Sequence, residues 1–493
     1  MSSRVADLRA AAAPSLLSVC AAVVVALVLP LALVERLPVA ALASATALGL
    51  ASCVAALRHP RLFWWATLAA APLAIDWAAP RGGLHLTLPL EGMMLLGLSS
   101  LLVREGRRLI PSPAQAAHPM TLLVLAQVGW ILIAAAFSAD LRVSVKSAIV
   151  RIFYVACFYV LSLRLFEERP SHSARLVAIG VGVIPVTTLA LARFAASGFD
   201  PKSVYESAQP FFQNRIDLCA ALVLWALPAA AVWRRRSALG LSSVARAILS
   251  IALLLSGAAL VGLRGRAALG ALGVGLLAAW FSRRRPPRLV AAMLFLGAFA
   301  AALAVADLLV YRSEISRPGL RPAVSIVRSS LLAHPPFTDE SFTERANRWS
   351  AAARMGFSRP LTGFGPGTFE GRYAPFQNPW ETTRRSTWGG DEGDAHSEVM
   401  TAFAEQGLPG LSLLLAVLSS AFLTAARGAR ASAAGADLLP AAVAGSLAAF
   451  VVMNGPNSLL DVDKVAPLFW MACAAAVNFD LGSRPAATSR AGR

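Results

Sequence analysis

The stretch Pro360-Leu-Thr-Gly-Phe-Gly-Pro-Gly-Thr-Phe369 lies in the only long polar region of an otherwise apolar chain. Three glycines and two prolines within Pro360–Gly367 exclude a helix interior and predict a tight loop. The segment Asp394-Ala-His-Ser-Glu398 follows, and it predicts a helix that carries His396 on its first turn. Because the first turn of a helix offers free N–H groups and a favourable dipole to anions, this region predicts a site for a phosphate-bearing substrate.

The composition on either side of this region excludes a soluble globular domain. Of 493 residues, 57% are hydrophobic and 15% are charged, and the mean hydropathy is +0.62. Repeated apolar runs of about 20 residues indicate a polytopic membrane protein. The first run, near Leu16–Val34, has no small-residue cleavage signature, so we expect it to be a first span and not a signal peptide.

The hydropathy pattern predicts an all-α transmembrane bundle of about 14 spans. The predicted windows are 15–34, 38–57, 62–79, 84–103, 120–137, 147–166, 174–194, 216–233, 244–263, 267–282, 289–311, 397–426, 438–455 and 464–481. The window 397–426 is long enough to hold a short surface helix before its span. This count divides the chain into eleven spans over 1–311, one large loop over 312–396 that we expect to act as a lid, and C-terminal helices over 397–493.

The distribution of arginine predicts the orientation of the bundle. Arginines cluster in alternate connections, for example 104–108, 234–236 and 283–288. Cytoplasmic loops carry the excess of basic residues, so both termini are expected in the cytoplasm and the loop 312–396 outside. The same rule accounts for the net charge of +18 without nucleic acid as a partner.

Three arginines lie on the predicted outer face, against this rule. Arg264 and Arg266 lie between two apolar runs, and Arg215 opens another span in Gln213-Asn-Arg-Ile-Asp217. One interpretation is that they reach into lipid headgroups or pair with an acid such as Asp217. The other is that they bind an anionic substrate, because guanidinium groups bind phosphate in a bidentate way. Their clustering beside one polar loop favours the second interpretation.

The outer loop has helical composition over Glu344–Met355, which places Arg345 and Trp349 on one face. Further aromatic residues could stack on sugar rings or form a belt at the membrane interface, namely Tyr373, Phe376, Trp380 and Trp388. Glu91 is predicted to lie inside an apolar span, where an acid is a functional candidate. The five cysteines have no paired spacing and are expected to serve packing.

Several of these motifs together resemble the O-antigen ligase and polymerase superfamily. They are Arg345-x-x-x-Trp349, the loop Pro360–Phe369, Ala395-His-Ser-Glu398, Glu405-x-Gly-Leu-x-Gly410, and an arginine followed by glycine at the head of a span. In this chain that arginine is Arg264 or Arg266. The motifs cover residues 210–415, and the N-terminal third matches only as hydrophobic spans.

The resemblance implies a multi-span, metal-independent glycosyltransferase without a cofactor, in the bacterial inner membrane. The donor would be a glycan on undecaprenyl pyrophosphate, and the reaction would take place on the periplasmic face. A ligase would deliver the glycan to the lipid A–core sugar, whereas a polymerase would join repeat units. A lipid-linked sugar flippase or exporter is the competing class outside enzymes, and the lack of a repeated half makes a transporter less favoured.

The chemistry of such a transfer assigns roles to the candidate residues. The leaving pyrophosphate needs its charge stabilised, which Arg264, Arg266, Arg215 and Arg345 could do. The acceptor hydroxyl needs a base or an orienting group, for which His396 is the first candidate and Glu398 the second. A capping histidine without chemistry is the alternative for His396, and Glu405 is expected to satisfy the turn Gly407–Gly410.

Overall fold

The computed structural model describes residues 51–78, 85–167, 169–200, 203–263, 265–284, 340–377, 393–432 and 437–483. These ranges are mostly helical. The elements are α1 Pro60–Ala70, β1 Ile75–Ala78, β2 His85–Leu88, α2 Leu90–Leu109, α3 Pro113–Ala116, α4 Pro119–Ala136, α5 Leu141–Leu165, α6 Arg169–Ala196, α7 Arg215–Arg234, α8 Ser243–Gly262, α9 Arg266–Arg284, α10 Glu340–Ser358, α11 Phe369–Arg372, α12 Glu398–Ala431, α13 Leu439–Asn454 and α14 Ala466–Gly482.

Six helices in these ranges are long and apolar enough to cross a membrane, namely α4, α5, α6, α7, α8 and α12. The shorter apolar helices α13 and α14 are largely buried among them. Every predicted window from 120–137 to 267–282, and each of the last three, falls on a helix. The windows 15–34 and 289–311 and most of 38–57 lie outside the described residues, so the count of fourteen stays a prediction.

The prediction of an all-α protein is wrong between residues 75 and 88. The predicted span 62–79 ends its helical part at Leu73, and the span 84–103 begins as a strand. The strands β1 and β2 pair antiparallel, with Asp76 opposite Thr87. Polar and apolar residues alternate in His85-Leu-Thr-Leu88, which is the period of a strand. Glu91 consequently lies in the first turn of α2 and not inside a span.

Helices α9 and α13 approach each other closely through small residues. A Cβ added to Gly445 would lie 2.4 Å from the carbonyl oxygen of Gly275, so only glycine allows this backbone contact. The helix α13 in turn packs against α12. The long helix α12 is thereby held in the bundle on one side, while α10 and the glycine-rich loop cover its first half on another.

The helix α12 is kinked at Gly407, where φ is 67° and ψ is −168°. This kink divides a short N-terminal part from the longer apolar part, as the length of the window 397–426 predicted. The described part of the outer loop packs against the short part. A small separate core joins them, formed by Ala351, Ala352, Met355, Phe369, Tyr373, Ala395 and Ala404.

Candidate functional site

The loop 360–369 folds around the kink of α12. Three backbone hydrogen bonds hold it there: Phe364 N–H to the carbonyl of Ala404 at 3.0 Å, Gly365 N–H to that of Glu405 at 2.8 Å, and Leu408 N–H to that of Pro360 at 2.8 Å. Gly363, Gly365 and Gly367 all have left-handed φ values. A Cβ on Gly363 would lie 2.3 Å from the carbonyl carbon of Glu405. The predicted tight loop is confirmed, and glycine is required for its close approach.

The buried carboxylate of Glu405 ties this loop to α12. It accepts a hydrogen bond from the backbone N–H of Phe369 at 3.0 Å and lies 3.7 Å from the guanidinium of Arg151. The expectation that Glu405 satisfies the turn Gly407–Gly410 is therefore wrong. The carboxylate reaches the far end of the glycine-rich loop, because that loop supplies backbone N–H groups with no helical partner.

His396 lies immediately before α12 and not on its first turn, which corrects the sequence-based placement. The helix begins at Glu398, and Ser397 is its N-cap. His396 has a φ of 47°, a left-handed conformation that is uncommon outside glycine. The carboxylate oxygen Oδ1 of Asp394 accepts two hydrogen bonds from this residue, from ring Nδ1 at 2.9 Å and from the backbone N–H at 3.1 Å.

The start of α12 offers fewer free N–H groups than its sequence predicted. The N–H of Glu398 donates to the carbonyl of Asn457 at 3.2 Å, and that of Met400 donates to the Ser397 hydroxyl at 3.4 Å. The Glu398 carboxylate itself lies in this first turn. A carboxylate at this end of the helix makes it a poor phosphate site. The chemistry of the site must therefore come from side chains.

The side chains of Asp394 and His396 are equally exposed, each at 42%. Burial alone would raise the pKa of Asp394, but hydrogen bonds and charge interaction with His396 lower it to about 2. The carboxylate is thus ionised at neutral pH. A carboxylate bound to Nδ1 favours the tautomer with the proton on Nδ1, which leaves Nε2 free to accept a proton.

Arg215 lies at the first position of α7, beside the turn that leads to Arg264. Its Nη1 donates to the carbonyl of Leu263 at 3.2 Å. The structure therefore brings Arg215 together with the loop that carries the predicted arginine pair. Arg264 and the side chain of Arg266 lie outside the described part of the chain.

Charged groups at the start of α7 lie near the His396 segment. Asp217, in the first turn of α7, is attracted by the charge of Lys464 and repelled by that of Asp394. Lys464 also forms an ion pair with Asp76 on β1 at 3.0 Å. The ends of α7, the sheet and the segment before α12 thus meet in one polar region.

Arg348 connects α10 to the His396 segment. Its Nη1 donates to the carbonyl of Asp394 at 2.8 Å, and its Nε donates to Glu344 at 2.7 Å. Arg345 is half-buried one turn earlier on the same helix. Tyr373 is fully buried and stacks on Phe369 at 4.9 Å between ring centroids, so it is not a platform for sugars. Trp380 and Trp388 lie outside the described residues.

Glu398 lines a cavity of about 280 Å³ between α4, α5 and α12. Arg151 and Asp461 also line it, and their side chains form an ion pair at 2.8 Å. Sequence reasoning missed Arg151, although an arginine within the apolar window 147–166 carries the same signal that drew attention to Glu91. It also missed Asp394, whose position two residues before a candidate base was the available clue.

Comparison with known families agrees with the motifs. Residues 251–415 match the family described as O-antigen ligase. This range contains the glycine-rich loop, Asp394, His396, Glu398 and Glu405, whereas Arg151 and Arg215 lie before it. Neither the curated proteins nor the solved structures contain a match to this chain.

Proposed function

We propose, from the match of residues 251–415 to the family described as O-antigen ligase, that this protein transfers a glycan from undecaprenyl pyrophosphate to the lipid A–core. The family points to a membrane glycosyltransferase of the O-antigen ligase or polymerase type, and the apolar helices fit a bacterial membrane protein. The donor, the acceptor, the inner membrane and a periplasmic site belong to the proposal.

The observation that carries the proposal is the pair formed by His396 and Asp394. With Nδ1–H held by the carboxylate, Nε2 of His396 can take the proton of the acceptor hydroxyl. As that O–H bond breaks, the acceptor oxygen forms a bond to the anomeric carbon of the donor sugar. The bond from that carbon to the pyrophosphate oxygen breaks, and the pyrophosphate leaves with the electron pair. Asp394 acts as a positioning residue that stabilises the resulting imidazolium.

The leaving pyrophosphate requires positive charge near the anomeric carbon. Arg215 and the loop 263–266 are supported for this role by the contact between Arg215 and the Leu263 carbonyl. Fixed guanidinium groups stabilise developing charge in a site that excludes water. We assign Arg215, Arg264 and Arg266 to the pyrophosphate, with Arg345 as a further ligand from α10, and we propose that no metal ion is needed.

Glu398 is less suited than His396 to act on the acceptor. Its carboxylate accepts a hydrogen bond from the backbone N–H of Leu460 at 3.3 Å, and its side chain is 3% exposed. This environment fixes Glu398 against the loop 459–463. We therefore propose His396 as the base and Glu398 as part of the wall next to it.

The test uses purified full-length protein with a lipid-linked glycan as donor and a lipid A–core acceptor, in the presence of EDTA. We expect the glycan to appear on the acceptor, and the variant His396→Asn to lose about 10²–10⁴-fold in rate. Asparagine is chosen because it tolerates the left-handed backbone of this position. Full activity of His396→Asn would overturn the assigned base. Extension of the donor glycan without transfer to the core would instead identify a polymerase.

A further inference from the structure

The cavity beside Glu398 is separate from the His396 imidazole and has no role in the transfer described above. Helices α4, α5 and α12 form its walls, and the loop 459–463 and Trp470 of α14 complete it. Its volume of about 280 Å³ is close to the lower end of small-molecule sites, which span roughly 300–1,000 Å³. It therefore has room for a compact group such as one sugar ring.

The charges that line the cavity do not suit a phosphate. Glu398, Asp461 and Asp463 contribute three carboxylates, whereas Lys146 and Arg151 contribute two cations. Arg151 already pairs with Asp461 at 2.8 Å and lies 3.7 Å from Glu405. An anionic group placed here would have to compete with Asp461 for Arg151. A neutral group with many hydroxyls could instead donate to the carboxylates and accept from the two cations.

One polar side chain in the cavity wall supports the binding of a ligand with hydroxyl groups. Gln127 is 7% exposed, and its Nε2 donates to Gln406 at 3.0 Å. Its Oε1 is buried and has no hydrogen-bond partner among the described residues. A buried acceptor without a partner costs free energy unless a ligand or water satisfies it. A sugar hydroxyl would donate to this oxygen once the Gln127 amide turns towards the cavity, because the oxygen itself has almost no exposed surface.

The remaining walls are apolar and aromatic. Val124, Val128, Ile131 and Val150 lie on two sides, and the indole of Trp470 lies on another. Trp470 is held by edge contacts with Tyr159 at 6.2 Å and with Phe469 at 5.0 Å. The two faces of a sugar ring are largely C–H groups, so a fixed aromatic surface and aliphatic walls fit them while polar groups bind the rim.

We propose that this cavity binds one neutral sugar ring of a glycan substrate, next to the transfer site. The inference rests on the proposed function for the identity of the glycan, and on the cavity for its position. Glu398 lies two residues after His396. Its backbone N–H donates to the carbonyl of Asn457, shortly before the loop 459–463 that also lines the cavity. A ring bound here would position its chain relative to the imidazole. The ring could belong to the donor or to the acceptor.

The test fills the cavity without altering its charges. Val128→Phe adds a ring in the wall of α4, and Leu125→Phe is the matched control on the same helix, because Leu125 is 52% exposed and does not line the cavity.

Both changes are made in the His396→Asn protein, so that binding is measured without turnover. Saturation-transfer NMR in detergent with free glucose, galactose and N-acetylglucosamine reports the contact. We expect at least one sugar to bind, and Val128→Phe to weaken that binding by about tenfold or more, with Leu125→Phe unchanged.

A second arm separates the two sources of sugar. In protein with His396 intact, Val128→Phe is expected to raise KM about tenfold for either the donor or the acceptor. The affected substrate is the one whose ring occupies the cavity. Gln127→Leu removes the buried acceptor without filling the space and is expected to raise the same KM.

Three results would overturn the proposal. They are no sugar binding at all, binding that Val128→Phe leaves intact, and a bound lipid that co-purifies with the protein and is displaced by Val128→Phe. Each would leave the proposed transfer untouched, because that depends on the His396→Asn result. Conversely, sugar binding that requires an open cavity would stand even if no transfer to the lipid A–core were found.

Discussion

The carboxylate of Glu405 accepts a hydrogen bond at 3.0 Å from the backbone N–H of Phe369, 36 residues earlier in the chain. This bond fixes the end of the glycine-rich loop to the short N-terminal part of α12. The same carboxylate lies 3.7 Å from Arg151, so α5 is joined to the arrangement as well. The loop, α12 and α5 consequently form one unit around the segment that carries His396.

Replacing Glu405 tests whether this unit holds the site. Glu405→Ala is expected to destabilise the protein by about 1–3 kcal/mol, because it leaves a buried N–H without its acceptor. Glu405→Gln keeps an acceptor for Phe369 and should lose less. Thermal unfolding in detergent measures both. The exposed Glu206→Gln serves as the control for loss of one negative charge. Equal stability of Glu405→Ala and the control would contradict the argument.

The kink at Gly407 is the second support of the unit. Its φ of 67° disfavours any residue with a Cβ, and an added Cβ would lie 2.4 Å from the carbonyl oxygen of Leu361. The left-handed backbone alone costs about 1–2 kcal/mol. Gly407→Ala should therefore lower thermal stability clearly and reduce transfer. Gly129→Ala is the matched control, since nothing lies within 4 Å of a Cβ there. An unchanged melting temperature for Gly407→Ala would exclude a required kink.

The parts of this arrangement that were predictable from sequence are local. Apolar runs predicted most described helices within a few residues, because the length of a span is set by the bilayer. The spacing of glycine and proline predicted the loop 360–369, because left-handed φ values leave few other residues possible. The window at 62–79 was misassigned, since a short helix followed by a strand has the same mean hydropathy as one span.

The parts that could not be predicted are contacts between distant segments. Arg151 pairs with Asp461, 310 residues later, and no local pattern encodes that pair. The partner of Glu405 was misassigned for the same reason, because the nearest turn was the only candidate visible in the sequence. His396 lies before α12 because Ser397, the next residue, is the N-cap of that helix. Such a shift is within the ordinary uncertainty of helix ends.

The pair Asp394–His396 makes a prediction about pH. The pKa of Asp394 is lowered to about 2, because hydrogen bonds and the charge interaction with His396 outweigh the effect of burial. The negative charge of Asp394 therefore contributes fully to the stability of the folded protein above the ordinary pKa of an aspartate. This contribution is lost only as the pH falls towards about 2. Asp394→Asn keeps an acceptor but removes the charge that stabilises the imidazolium. Transfer should fall about 10²–10⁴-fold.

The measurement compares Asp394→Asn with the unaltered protein at about pH 5 and about pH 8. The variant is expected to be slower at about pH 8, where the imidazole can accept a proton and Asp394 is ionised. A variant as fast as the unaltered protein at about pH 8 would contradict the assigned role. Asp200→Asn, on the loop after α6, is the control for the substitution itself.

The arginines near α7 make a prediction about geometry. Arg215→Lys, Arg264→Lys and Arg266→Lys all keep a positive charge but lose the planar fork that binds phosphate oxygens in pairs. If these residues bind pyrophosphate, each change should raise the donor KM or lower kcat by about tenfold or more. Arg246→Lys on α8 is the control. If all three variants, and the Arg264/Arg266 double alanine, transfer glycan normally, the pyrophosphate site lies elsewhere.

The orientation of the bundle makes the last prediction, because a transfer on the periplasmic face requires the loop 312–396 to lie outside. Gly371 on α11 belongs to this loop, and Gly106 lies among Arg104, Arg107 and Arg108 near the end of α2, which the arginine pattern places in the cytoplasm. A Cβ at either glycine would have nothing within 4 Å, so cysteine can replace each without strain.

In a background without the five native cysteines, a maleimide that cannot cross the membrane should label Gly371→Cys in intact spheroplasts. Gly106→Cys should react only after the membrane is opened. The reverse pattern would place His396 on the cytoplasmic face, where a periplasmic donor could not reach it, and the proposed reaction would have to be abandoned.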